Sequence, residues 1–156
     1  MFRKMRRQKQ ELSKKECMDI LINQPRGFLA VLGDNEYPYV IPMSHVYVNG
    51  KIYFHGAKQG HKNDAVKNNP KVSYCVMDDG VKNKNEWWYT FKSVVVFGKI
   101  KTLADDSEKI DKLTYLGNKF FSTTEETKRE INRLLNKTEV FELTIDHMAG
   151  KLVIEK

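Results

Sequence analysis

The sequence predicts a mainly β fold, a six-stranded antiparallel β-barrel with helices at its periphery, in a single domain over residues 1–156. The predicted elements run helix, three strands, helix, two strands, two helices and strand. This order does not alternate strands with helices, which argues against a doubly wound parallel sheet. Short strands joined by hairpin turns are typical of antiparallel barrels instead.

Several predicted strands are apolar on both faces. In the strand that ends at Leu103, Val94 and Val96 lie on one face, while Val95 and Phe97 lie on the other. A barrel core covers only one face of a strand, so a partner subunit or a cofactor must cover the second. We therefore predict an obligate homodimer.

Capping patterns place the helices. Ser13 and Glu16 form a capping-box pattern that predicts a helix as far as about Asn23. Pro25 and Gly27 then end this helix. A helix of about two turns is predicted after residue 60. Two further capping patterns predict helices over 106–119 and 124–136, and they begin at the pairs Asp105/Glu108 and Thr123/Glu126.

Strands are predicted over residues 28–32, 37–48, 51–55, 71–77, 93–103 and 140–145. The second strand contains Pro38 and Pro42, which cannot donate to a ladder, so it must bend or leave one side unpaired. Asn49-Gly50 is the strongest hairpin signal in the chain. The residues from 147 to 156 are predicted to form a tail.

The composition is that of a small globular domain. Hydrophobic residues make up 40% of the chain and charged residues 30%, far from a disordered composition. No apolar run approaches the roughly 18 residues that a membrane span needs, and the basic N-terminus lacks the apolar core of a signal peptide. Cys17 and Cys75 are far apart and suit a reducing compartment. We expect a cytoplasmic protein without membrane contact.

The N-terminal arm, residues 1–12, is strongly basic in a chain whose net charge is +7. A basic arm can hold nucleic acid. However, Phe2 is its only aromatic residue and no nucleic-acid-binding signature follows. The sequence therefore favours an arm that is solvated or contacts anions over one that binds nucleic acid.

The segment Gly60-His61-Lys62 follows a strand and begins a helix. The free N–H groups of a helix N-terminus and the positive end of its dipole favour an anion. Lys58, His61 and Lys62 would add side-chain donors. The sequence thus predicts a site for a phosphorylated cofactor on a β scaffold.

Five segments and the arm together resemble a known superfamily. The segments are PYVIPMSHVY, KIYFHGAKQGHK, NNPKVSY, KSVVVFGKI and IDHMAGK, and the arm carries Met5-Arg6-Arg7-Gln8-Lys9. In this order they resemble the pyridoxamine 5′-phosphate oxidase-like flavin-binding split-barrel superfamily, and most of all its 5-nitroimidazole-resistance (Nim) branch. The resemblance covers nearly the whole chain.

This resemblance implies a homodimer with two FMN sites at the subunit interface. The strand Val40–Ser44 would lay its backbone along the isoalloxazine ring, and residues 55 and 56 would flank the ring and ribityl chain. The turn at residues 60–62 would grip the phosphate. Ser93 would lie near the ring bound by the second subunit. The implied cofactor-binding residues are Val40, Ile41, Pro42, Met43, Ser44, His55, Gly56, Lys58, Gly60, His61, Lys62 and Ser93.

The phosphate turn departs from the pattern of the pyridoxamine phosphate oxidases, which have serine, arginine and lysine at the places of Gly60, His61 and Lys62. This chain keeps only the lysine, so backbone N–H groups must supply more of the phosphate contacts. The C-terminal tryptophan and arginine signature of those oxidases is also missing. Vitamin B6 oxidation is therefore not expected.

The chemistry that the resemblance implies is flavin reduction followed by electron transfer to a small organic acceptor, such as a nitroaromatic compound. The protein would position flavin and acceptor and exclude water. His55 is the candidate catalytic residue, because an imidazole titrates near neutrality and could polarise a ring carbonyl or a substrate. No His/Cys cluster or carboxylate pair stands out, so no metal site is predicted.

The roles of the remaining histidines and tryptophans are less specific. His45 is interpreted as structural. His61 is either a phosphate donor or an exposed residue at a helix start, and His147 either folds over the partner's site or lies on the surface. Trp87 and Trp88 could form a rim over the flavin, but packing in the core or the dimer interface is favoured because aromatics dominate such burial.

Two alternative functions remain open. Some relatives of this fold use the same cleft for haem, and His45, His55 or His147 could then ligate iron. The other alternative is a non-catalytic module that binds flavin or another anion. An absorption spectrum separates a flavoprotein from a haem protein.

Overall fold

Seven antiparallel strands form one curled sheet in the order β2-β1-β5-β6-β7-β4-β3. A computed structural model describes all residues from 1 to 156. The helices are α1 (Lys14–Asn23), α2 (His61–Asn68), α3 (Asp106–Phe120) and α4 (Thr124–Leu134). The strands are β1 (Arg26–Leu32), β2 (Pro38–Ser44), β3 (Val46–Val48), β4 (Lys51–Ala57), β5 (Lys71–Met77), β6 (Thr90–Thr102) and β7 (Thr138–Ile154). The predicted mainly β, antiparallel split-barrel architecture is confirmed.

The strand count differs from the predicted six because the long strand over 37–48 is two strands. The chain breaks at His45, whose side chain turns inward and is fully buried, and β2 and β3 lie at opposite edges of the sheet. The prolines explain the position of β2. Strand β2 pairs only with β1, so its other edge makes no ladder hydrogen bonds. An edge strand of this kind tolerates Pro38 and Pro42, which have no backbone N–H to donate.

The predicted C-terminal tail is wrong, because residues 146–154 continue strand β7. This strand pairs with β6 from Thr90/Ile154 to Thr102/Phe141, with one bulge after Phe97. The 13-residue length of β6 provides a template along which the C-terminal segment pairs as far as Ile154.

The helix starts are largely as predicted. Ser13 accepts a hydrogen bond from the backbone N–H of Glu16 at 3.2 Å, and the Glu16 carboxylate accepts one from the backbone N–H of Ser13 at 2.9 Å. Thr123 forms the second complete capping box. At Asp105 only half of the expected box is present, with Asp105 accepting from the N–H of residue 108 at 2.9 Å.

The two faces of the sheet are covered differently. The inner face and α1 form the main core, in which Leu21, Leu29 and Tyr74 are fully buried. Helices α3 and α4 cover the outer face of β4 and β7 with a second, smaller core around Val140. The outer face of β1, β2, β5 and β6 has no such cover. The structure contains no helix that is both long and apolar enough to span a membrane.

The N-terminal arm folds back along the sheet. The N–H of Leu12 donates to the carbonyl of Gly150 at 2.9 Å, and the backbone of Glu11 forms an isolated antiparallel β-bridge with that of Lys151. Further out, the ring of Phe2 stacks on His147 at 4.7 Å between centroids. The basic side chains of the arm stay exposed.

Candidate functional site

The curl of the sheet brings the strand predicted to line the flavin next to the start of α2. Lys62 Nζ lies 3.7 Å from Met43 Sδ. Alternation along β2 turns Val40 and Pro42 to the outer face, where both are exposed, while Ile41 and Met43 turn toward the core. The site therefore presents the outer face and the free backbone edge of β2.

Lys62 is half-buried among neutral groups. Besides Met43, its ammonium contacts the Phe141 ring, 4.8 Å from the centroid, and the backbone of Gly56. It forms no ion pair with any carboxylate. Burial lowers the pKa of Lys62. Since a buried ammonium without an anionic partner is unfavourable, an anion bound here would stabilise it.

The start of α2 is open for an anion. Gly60 has φ 130° and ψ 170°, a conformation that is essentially restricted to glycine. No atom lies within 4 Å of the place where its Cβ would stand, and no side chain caps the helix. Asn63 fastens α2 to the end of β4 by donating to the Ala57 carbonyl at 3.1 Å. Lys58, in the segment between them, is exposed.

His61 points away from this opening. Its ring stacks on Tyr39 with the centroids 4.3 Å apart and an interplanar angle of 11°. Its Nε2 accepts from the backbone N–H of Asp34 at 3.3 Å and lies 3.5 Å from the Asp34 carboxylate. The structure thus places the His61 ring against the turn after β1, whereas its backbone N–H remains at the start of α2.

His55 and Ser44 lie on the outer face, at the mouth of an apolar chamber. Neither side chain has a hydrogen-bond partner within the protein. Desolvation and the nearby charge of Lys62 lower the pKa of His55, so the neutral imidazole prevails at neutral pH. The chamber, of about 200 Å³, lies between α3, α4 and β4.

His45 is held in a buried network. Its Nε2 lies 2.7 Å from the carbonyl oxygen of Leu21 and its Nδ1 lies 2.9 Å from the hydroxyl of Tyr74. Burial and the charge of Lys119 lower the pKa of His45 to about 4. Both ring nitrogens are engaged, which fits the structural interpretation.

Sequence reasoning missed Lys119 on α3. Its ammonium donates to the carbonyl of Gln24 at 2.6 Å and to the carbonyl of His45 at 3.0 Å. Burial lowers the pKa of Lys119 to about 8. These bonds tie α3 to the break between β2 and β3, next to Ser44. A lysine near the end of an amphipathic helix carries no sequence signal for such a role.

The remaining candidate residues are not brought to this site within one chain. Ser93 lies on β6 and pairs with Met77 and Lys151, and β7 separates β6 from β4. Trp87 is 71% exposed and meets Trp88 edge to face at 5.6 Å. Trp87 is therefore not packed in the core of this chain.

The family follows from a comparison of the sequence with family models. Residues 13–152 match the model for pyridoxamine 5′-phosphate oxidase. The chain belongs to the pyridoxamine 5′-phosphate oxidase family. No curated protein matches it in sequence.

Solved structures share the fold of this pyridoxamine 5′-phosphate oxidase family member. One is a proposed 5-nitroimidazole antibiotic resistance protein from Bacteroides thetaiotaomicron, with a TM-score of 0.75, 19% identity and coverage of 94% of this chain and 90% of that one. A FAD-binding protein from Mesorhizobium loti has a TM-score of 0.69, 23% identity and coverage of 92% and 96%. A FAD- and haem-binding protein from Mycobacterium smegmatis has a TM-score of 0.74, 21% identity and coverage of 92% and 73%.

Proposed function

We propose that this chain is an FMN-binding flavoprotein, an oxidoreductase that reduces a small organic acceptor such as a nitroaromatic compound. The observation that carries the proposal is the unpaired, half-buried ammonium of Lys62 beside the uncapped start of α2. Family membership supports it, as does the fold shared with FAD-binding proteins.

The residues around the start of α2 fit an FMN phosphate. The open space at Gly60 and the first N–H groups of α2 would receive the phosphate oxygens. Lys62 would supply a charge-assisted hydrogen bond, and Lys58 is exposed nearby to add a second positive charge. This arrangement compensates for the serine and arginine that the chain lacks, because backbone donors need no particular side chain.

The isoalloxazine ring would lie along Val40–Ser44, with His55 and Gly56 at its edge. FMN, when bound, supplies the hydride and electron chemistry. The protein orients the acceptor and keeps water out. His55 would hold the acceptor through a neutral imidazole, which can donate one hydrogen bond, since its lowered pKa keeps it uncharged at neutral pH.

We also propose that a second copy of this chain covers the open sheet face. Large apolar side chains are exposed there, with Phe28 at 51%, Val40 at 54% and Phe97 at 38%. Half-buried Val95 and Cys75 connect them across neighbouring strands. A contiguous apolar surface of this kind marks an association site. The second copy would bring its Ser93 to the flavin, and the free thiols suit a cytoplasmic location.

Haem is the second candidate, because a neighbour with the same fold binds both FAD and haem. The structure narrows the candidate iron ligands. His45 already uses both ring nitrogens, and His147 is stacked beneath Phe2. His55, with no partner, is the best-placed ligand. A non-catalytic flavin module is the third candidate, and it would bind FMN without electron transfer to any acceptor.

An absorption spectrum of the purified full chain, followed by titration with FMN, FAD and haemin, tests the proposal. We expect flavin bands, tighter binding of FMN than of haemin, and reoxidation of the reduced flavin by a nitroaromatic acceptor under anaerobic conditions. A Soret band in the purified protein would contradict the proposal and support haem. Flavin that stays reduced with every acceptor would support the non-catalytic module.

A further inference from the structure

The apolar chamber beside His55 lies between two helices. Helix α3 and the residue after it form one wall, α4 and the turn after it form the other, and Ser44 of β2 and His55 of β4 lie at the mouth. Its volume of about 200 Å³ lies below the roughly 300–1,000 Å³ typical of sites for drug-sized ligands. An empty apolar cavity of about 150 Å³ can hold benzene. The apolar lining consists mainly of Leu113, Leu116, Phe120, Phe121, Ile131 and Leu134.

The chamber is held in shape by the packing of its helices. Gly117 of α3 lies so close to Thr127 of α4 that any Cβ at position 117 would collide with the threonine side chain. Lys119 fixes the end of α3 through its bonds to two backbone carbonyls. The space is therefore preformed, and a ligand would not need to separate the helices.

Most polar groups in the wall already have partners within the protein. The hydroxyl of Thr127 donates to Asn118 Oδ1 at 3.0 Å, and that of Thr138 donates to the Leu134 carbonyl at 2.8 Å. The Glu130 carboxylate pairs with Arg133 at 2.7 Å. In contrast, Ser44 and His55 have none. The free hydrogen-bonding capacity of the chamber is thus concentrated at one end, where the chamber meets β2 and β4.

We propose that this chamber binds an uncharged molecule with a single aromatic ring, whose polar substituent lies against Ser44 and His55. The ring would fill the space between α3 and α4, where apolar side chains form most of the lining. An anion would lose its hydration there and face the carboxylate of Glu130, because the lining contains no lysine or arginine and the charge of Lys62 near His55 lies outside it. Binding in the chamber rests on its geometry alone; a role as the acceptor site rests on the proposed function.

Ligand-observed fluorine NMR on the full chain tests this proposal with 4-fluorobenzyl alcohol and 4-fluorobenzoate. We expect the alcohol to bind and the benzoate to bind at least about tenfold more weakly, because its carboxylate would be desolvated. Leu134→Phe fills the chamber and should weaken binding of the alcohol roughly tenfold or more. Ile110→Phe, on the exposed face of α3, is the matched control and should change nothing.

Ser44→Ala provides a test of orientation. This substitution should weaken binding of the alcohol about fivefold, which corresponds to the loss of one hydrogen bond. Binding of fluorobenzene, which has no hydroxyl group, should be unaffected. If Leu134→Phe does not fold, as judged by circular dichroism, Ile131→Phe fills the same space from the preceding turn of α4. Equal binding of alcohol and benzoate, or binding that the filling variants leave unchanged, would overturn the proposal.

All titrations are performed with and without FMN, which separates the two proposals. Binding of the alcohol without binding of FMN would support the proposed ligand site in the chamber and refute the flavin function. A chain that binds FMN but not the alcohol in either state would refute the chamber and leave the flavin function standing.

Discussion

The ammonium of Lys62 lies directly against the backbone of Gly56, so closely that a Cβ on Gly56 would stand 2.5 Å from Lys62 Nζ. The absence of a side chain at position 56 allows the lysine to fold back across the end of β4. Its charge is thereby held near Met43 and Phe141, half-buried, rather than in bulk solvent. Gly56 and Lys62 form one structural unit at the proposed phosphate site.

Gly56→Ala should weaken FMN binding about tenfold, the value of one charge-assisted hydrogen bond. The new methyl group would push the Lys62 ammonium out of its place. The fold should tolerate the change, because the atom that must move is the far end of a flexible side chain. Quenching of flavin fluorescence measures the dissociation constant, and thermal melting checks stability. An unaltered dissociation constant would show that the position of the ammonium does not matter.

Lys62→Ala should weaken FMN binding more than Gly56→Ala does, by about 1.5–3 kcal/mol or roughly 10- to 150-fold, while the protein stays folded. The reason is the loss of the half-buried charge itself. Lys67→Ala, on the exposed side of the same helix, is the control and should bind FMN like the parent. Equal effects of both substitutions would show that Lys62 has no specific role in FMN binding.

Phe28→Asp should convert the proposed dimer to a monomer and abolish FMN binding. The carboxylate would be buried against the second copy without a partner, and the partner's Ser93 would be lost from the flavin. Light scattering coupled to size exclusion measures the mass. Ile110→Asp, at a position 41% exposed on α3 compared with 51% for Phe28, should remain dimeric. A flavin-loaded monomer of the parent protein would refute both the dimer and the shared site.

His55→Ala should slow electron transfer to a nitroaromatic acceptor more than it weakens FMN binding. A positioned proton donor or acceptor contributes about 100- to 10,000-fold to a rate, whereas FMN affinity would depend mainly on phosphate and backbone contacts. Single-turnover oxidation of the reduced protein at saturating FMN, followed by flavin absorbance, separates the two effects. Equal rates for variant and parent would leave His55 with a structural role only.

The unfolding free energy should fall as the pH is lowered from about 6.5 to about 4, in part because of His45. Its pKa is lowered to about 4 in the folded state, so the unfolded chain binds the proton first and acid favours unfolding. The full effect is on the order of 3 kcal/mol. Urea unfolding of His45→Gln should show a shallower pH dependence over this range. An unchanged slope in His45→Gln would contradict the prediction.

Sequence reasoning located most elements of this chain because their signals are local. The capping boxes at Ser13 and Thr123 are satisfied within four residues, and the Asn49-Gly50 turn shows the positive φ angles that its residues tolerate. The strand over 71–77 is found with its predicted bounds. In each case the residues that decide the structure are neighbours along the chain.

Errors occurred where distant segments decide the structure. The break at residue 45 depends on the burial of its imidazole between Leu21 and Tyr74, and the extension of β7 depends on the length of β6. In both cases the partners are far apart in sequence. The half-formed capping box at Asp105 is a local exception, in which the pattern permits a contact without requiring it.

The sequence by itself determined the family, the antiparallel fold and the residues that could meet a phosphate, because these follow from local turn chemistry, strand patterning and motif order. Only the tertiary structure decided how those residues are used. It turned the Lys62 ammonium onto Gly56, directed the His61 ring toward Tyr39, and opened an apolar chamber at Ser44. The physical reason is that side-chain direction and burial depend on packing between elements that are far apart in the chain.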